Sequence, residues 1–213
     1  MRTRMRTRTL AATAFAATVA LLLPGTANAA ISQGHVDALD IDWTGSALTL
    51  DIRDATVTPA VDRDPSTVVL DAVSASKTTV PSNSAYSFLG SPGSTVWVLP
   101  QSQVSNILWP GINTQGVPSG VLLNNAVTAK LISVSGPAHF SVYTTSLGTP
   151  TVWFDSGNGT PDSRNIAINT HAHANWAFEA AGTYTVVFEV TATLAAGGTV
   201  TTGQKTYTFT VQP

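Results

Sequence analysis

Short runs in which apolar and polar residues alternate recur throughout residues 30–213, each bounded by Gly, Pro, Ser or Asn, and they constrain the fold more than any other feature. A period of two fits a strand with one face in a core and the other in water. Residues 48–52 alternate, and 68–70, 95–99, 126–134 and 140–143 are further strand-like runs bounded by turn residues. It is clearest over 182–193 and 199–211, which are separated by Ala195-Ala196-Gly197-Gly198 and so read as one hairpin. Only residues 101–108 suggest a short helical turn. The sequence therefore predicts an all-β chain, folded as a single antiparallel β-sandwich of the immunoglobulin-like or jelly-roll kind.

The first 29 residues are of a different character. Arg2, Arg4, Arg6 and Arg8 precede an apolar run over 10–23, a Pro24-Gly25 break and Ala27-Asn28-Ala29. Basic, apolar and small-residue regions in that order read as a secretory signal peptide, cleaved after Ala29. The apolar run is short of the roughly 20 residues that a membrane span needs. We accordingly divide the chain into a signal peptide, residues 1–29, and one sandwich domain, residues 30–213, with no membrane span in the mature part. The expected location is extracellular, either secreted or held at the cell surface.

Charge and cysteine content narrow the function. Four of the ten Lys and Arg residues lie in the leader, so the mature chain keeps six against twelve Asp and Glu. A surface this acidic, with scattered cations, argues against nucleic acid and anionic membranes as partners. The absence of cysteine excludes disulfides and thiolate chemistry.

Two long connections are expected, over 55–66 and over the Trp-Pro-Gly segment 109–120, and ordered loops of that length are often functional. Trp43, Trp97, Trp109, Trp153 and Trp176 are expected mostly in the core, with a sugar-stacking platform as the alternative. There is no Gly-x-Ser-x-Gly elbow, His-Glu-x-x-His pair, phosphate-binding loop or dinucleotide fingerprint. Asp155-Ser156-Gly157-Asn158-Gly159 lacks the later Glu of a calcium loop and reads as a turn.

The histidines carry the remaining chemistry. Two of the four lie in Thr170-His171-Ala172-His173-Ala174-Asn175-Trp176, and on a strand His171 and His173 point to one face. Paired neutral imidazoles suit a metal ion such as Zn²⁺. The other possibility is a pair that decorates a surface. His35 is the third candidate ligand, and Asp37, two residues on and so on the same face, is a fourth ligand or an acceptor that orients an imidazole. Asp40 and Asp42 are weaker candidates, and His139 is expected to be structural or exposed.

Several segments together resemble the actinobacterial surface-anchored domain family, also described as choice-of-anchor M domain proteins. They are Gly34-His35-Val36-Asp37, Phe88-Leu89-Gly90, Val96-Trp97-Val98-Leu99-Pro100-Gln101, Leu108-Trp109-Pro110-Gly111, Val134-Ser135-Gly136-Pro137, and the His171-Ala172-His173-Ala174-Asn175-Trp176 box running into Gly182-Thr183-Tyr184. The resemblance implies an exported protein, often anchored, that accompanies ABC transporters of the metal-uptake type, with hallmark histidines at His35, His171 and His173. No anchor is visible in this sequence. The expected function is extracellular zinc or manganese binding, with a transporter's solute-binding protein or a cell-wall component as partner. A structural or adhesive wall domain is the second reading, and a metallohydrolase using a water on a three-histidine metal is the third.

Overall fold

The computed structural model describes residues 29–213, so the predicted leader lies outside the described residues except for Ala29. The chain forms strands β1 (Ala29–Ile31), β2 (Gly34–Trp43), β3 (Leu48–Asp54), β4 (Val61–Arg63), β5 (Val68–Ala72), β6 (Lys77–Thr79), β7 (Thr95–Leu99) and β8 (Leu108–Gly116). It continues through β9 (Ala126–Ser135), β10 (Phe140–Ser146), β11 (Thr149–Asp155), β12 (Asp162–Ala167), β13 (His171–His173), β14 (Asn175–Phe178), β15 (Gly182–Thr193) and β16 (Thr199–Val211). The only helical pieces among the described residues are short 3₁₀ turns. None of the described helices is long and apolar enough to cross a membrane.

The strands build three sheets, ordered β1-β5-β16-β15-β9-β12, β11-β10-β14-β7-β6 and β13-β8-β2-β3-β4. The two five-stranded sheets share a continuous stretch of chain, because β13 belongs to one and β14, after the single residue Ala174, to the other. One hydrophobic cluster joins all three sheets, which gives the molecule a sandwich-like layering. Phe140, Trp176 and Phe178 of one sheet meet Phe188 and Phe209 of the six-stranded sheet, with ring centroids 5.2 to 6.5 Å apart. Leu50 and Ile52 of β3 enter the same cluster from the third sheet. Each fully buried side chain of this kind contributes roughly 1.5–3 kcal/mol.

The expectation of purely antiparallel pairing is corrected. β1 with β5, β5 with β16, and β2 with β8 run parallel, so two of the three sheets are mixed. Apolar alternation records which face of a strand is buried and carries nothing about the direction of its neighbour. Parallel neighbours require long crossovers. Here the chain passes through β3 to β7 before β8 returns beside β2.

Two further expectations fail. Residues 109–120 were predicted to be a loop, but most of them belong to β8, which lies between β13 and β2. Its Trp-Pro-Gly start imitates a turn, because Pro seldom sits inside a sheet. The helical turn predicted over 101–108 is bends and turns without a helix. The hairpin of β15 and β16 falls on the predicted residues.

Candidate metal centre

The site lies on one face of the sheet ordered β13-β8-β2-β3-β4, and backbone pairing decides which side chains meet there. β13 pairs with β8 so that His171 lies opposite Asn113 and His173 opposite Gly111. On its other side β8 pairs with β2, placing His35 beside Trp109 and Asp37 beside Gly111. Cross-strand partners project to the same face, so His35, Asp37, His171 and His173 converge although 138 residues separate His35 from His173. A register shift in β2, seen against both β3 and β8, falls just after Asp37. This bulge ends the regular alternation at the point where Asp37 is aimed into the group.

The four residues each offer one ligand atom, and those atoms all lie within 4.8 Å of one another. The imidazole centroids form a nearly equilateral triangle, with His35 5.0 Å from His173 and 5.4 Å from His171, and His171 5.4 Å from His173. His171 Nε2 donates to Asp37 Oδ1 at 2.8 Å, and His35 Nε2 lies 3.3 Å from the same oxygen. Four donors arranged tetrahedrally at 2.0–2.1 Å from an ion stand about 3.3–3.4 Å apart, so these spacings suit Zn²⁺ after small side-chain shifts. The residues present fit such an ion.

Protonation supports the same reading. His173 Nδ1 donates to the Pro110 carbonyl at 3.1 Å, which leaves its Nε2 as the lone-pair nitrogen facing the cluster. Burial, reinforced by the neighbouring His35, pushes the His173 pKa down to about 4, so this ring is neutral at pH 7. The Nε2 atoms of His35 and His173 are inaccessible to solvent and have no hydrogen-bond partner in the protein. Buried polar atoms are nearly always partnered. Among the described residues, buried atoms without partners also occur at Trp97, Trp153, Trp176 and Tyr207, but only at His35 and His173 do two such nitrogens belong to one cluster of potential ligands.

Two residues shape the site without donating to it. Gly111 forms its floor: a Cβ there would collide with Asp37 Oδ1 and stand 3.0 Å from the His173 ring. Trp109 forms one wall, stacked on His173 with centroids 3.6 Å apart and planes within 8°, while its indole N–H donates to the Gln101 carbonyl at 2.9 Å. Reading the 109–120 segment as a loop hid both roles. The available signal was a small residue and a large flat one at consecutive odd positions, 109 and 111, which place them on one strand face.

The weaker candidates fall outside the group. Asp40 is buried on the same sheet face and accepts from Asn113 Nδ2 at 2.8 Å. Burial, together with Asp42 and the more distant Asp37 and Asp62, raises its pKa to about 7 against the effect of that hydrogen bond. Asp42 and His139 are also outside, and His139 is exposed. Among the tryptophans, Trp97 and Trp176 are buried, and Trp43 and Trp153 pack partly against the core. The 155–159 segment is a turn closed by Asp155 Oδ1, which accepts from Gly157 N.

Fold and site together define an all-β, sandwich-like protein with a cluster of three histidines and one aspartate on an outer sheet face. No protein-family model, curated protein or solved structure matches the chain.

Proposed function

We propose that this protein binds a metal ion, zinc foremost and manganese as the alternative, through His35, His171, His173 and Asp37, and that it does so outside the cell. The observation that carries the reading is the convergence of the four side chains with two buried imidazole nitrogens left without partners. Export is supported by the leader-like first 29 residues. Service to an ABC-type metal uptake system, through its solute-binding protein or a cell-wall component, is supported by the family resemblance alone. The sandwich is read as immunoglobulin-like or jelly-roll in type on the strand periodicity of the sequence. A bound ion supplies charge neutralisation to the buried carboxylate and a shared partner for three imidazoles. The chain's contribution is to hold those donors, with Pro110 fixing the His173 tautomer.

One observation favours a second reading, a structural or adhesive wall domain. Asp37 already accepts from His171, so part of the cluster is satisfied without an ion. Asp37 as a fourth donor takes the position that a hydrolytic water would need, which places the metallohydrolase reading behind both.

The deciding experiment is elemental analysis of the purified protein beside a His171→Ala/His173→Ala variant. Near-stoichiometric zinc or manganese, lost in the variant, is the expected result. No metal in either protein after incubation with excess ion and desalting would leave the wall-domain reading in its place.

A further inference from the structure

We infer that Trp109 sets the coordination number of the centre and thereby selects zinc over manganese; this rests on the metal-binding reading above and deepens it. The indole covers His173 at 3.6 Å in parallel planes and lies 5.2 Å from the His35 ring at an angle of 50°. The Nε2 atoms of these same two histidines, His35 and His173, are out of reach of solvent and without a partner. Gly111 closes the floor so tightly that no methyl group fits over Asp37. His171, with 37% of its side chain exposed against 25% for His35, is the donor most open to water. Ions therefore enter past His171, and the Trp109 and Gly111 sides admit no additional water ligand.

Such a pocket discriminates by geometry. Zinc has no preference beyond a compact shell and is satisfied by four N and O donors, whereas manganese favours a larger, oxygen-rich octahedral set. Three imidazoles and one carboxylate, with the flank covered by an indole, supply the first arrangement and obstruct the second. The indole is itself fixed, since its N–H is tied to the Gln101 carbonyl and its strand lies between β13 and β2. Trp109 is thus a positioning residue that touches the ligands and never the ion.

The test uses the purified protein loaded with Co²⁺, whose visible bands are intense in four-coordinate sites and weak in six-coordinate ones, together with Zn²⁺ and Mn²⁺ competition. Wild type should give the intense bands and prefer zinc. Trp109→Ala should weaken the bands and lower zinc affinity about 10- to 100-fold, the usual range for residues that orient metal ligands, with manganese affected far less. Trp109→Phe keeps a flat ring against His173 and should retain the four-coordinate spectrum. Trp109→Leu keeps bulk without a stacking face and should not; this pair decides the matter if the alanine variant does not fold. Wild-type protein that binds Zn²⁺ while Trp109→Leu and Trp109→Ala keep its spectrum and selectivity would overturn the role of Trp109 and leave the metal site standing. Wild-type protein that binds neither Co²⁺ nor Zn²⁺ would overturn both.

Discussion

Replacing Gly111 with alanine probes the centre through a single methyl group. The glycine has no positive φ, so alanine meets no backbone strain there, and any effect comes from the space that the methyl takes. That space belongs to Asp37 Oδ1 and the edge of the His173 ring, whose Cε1 and Nε2 would stand 3.0 and 3.3 Å from the new carbon. Neither neighbour yields freely. Asp37 is 2% exposed and bonded to His171, while His173 is held between Trp109 and the Pro110 carbonyl. Overpacking at such a point costs about 1–3 kcal/mol, and for a domain of this size each kcal/mol lowers Tm by about 2–4 °C. Thermal unfolding of the metal-free variant should therefore fall by about 2–12 °C. Because the methyl pushes Asp37 away from the histidines, zinc titration should show at least a tenfold weaker site, in line with other disturbances of ligand orientation. An unchanged Tm together with an unchanged zinc affinity would refute the geometry, since it would mean that the strand pairing does not press Gly111 against these two ligands.

Two further predictions test the surroundings. Asp40 titrates near 7 in the folded protein against 3.8 as its ordinary value, so the folded state keeps a proton that the unfolded chain releases between those limits. Its contribution to stability is complete below about pH 4 and is lost as pH rises through 7, so Asp40→Asn, which still accepts from Asn113, should equal wild type at pH 4 and exceed it at pH 8 by at most about 4 kcal/mol in urea unfolding. At the tip of the β10–β11 hairpin, Leu147 has φ of 50° and is fully exposed, followed by Gly148 at φ of 77°. A turn with two positive φ values prefers Asn-Gly, so Leu147→Asn should stabilise the protein by about 1 kcal/mol without changing metal binding, as calorimetry with and without zinc would show.

Much was legible from the sequence because it is locally encoded. The alternation over 182–193 and 199–211, broken by Gly197-Gly198, specifies a hairpin wherever it occurs, and the structure has β15 and β16 on those residues. The same rule placed His171 and His173 on one face, and separately His35 and Asp37. Those residue types at that spacing were enough to nominate a metal site. They were not enough to bring the pairs together, because His35 and Asp37 reach β13 only through β8, which the sequence disguised as a loop by opening it with Trp109-Pro110-Gly111.

Tertiary structure decided the rest. Strand direction, and with it the parallel pairing of β2 and β8, depends on where a crossover returns, and no residue of β2 records that. The register opposite Gly111 determines that Asp37 and His173 share a space with no Cβ in it, and the register opposite Trp109 supplies the wall. The raised pKa of Asp40 belongs to this level in its largest cause, burial, and in the distant Asp62, while Asp42 and Asp37, which also raise it, are neighbours on its own strand. Sequence by itself determined that the chain is built of strands and which side chains could ligate an ion. Only the pairing of strands distant in sequence determined that four of those side chains face one point, because pairing partners are chosen by the global burial of the sheets' apolar faces, a property of the whole chain.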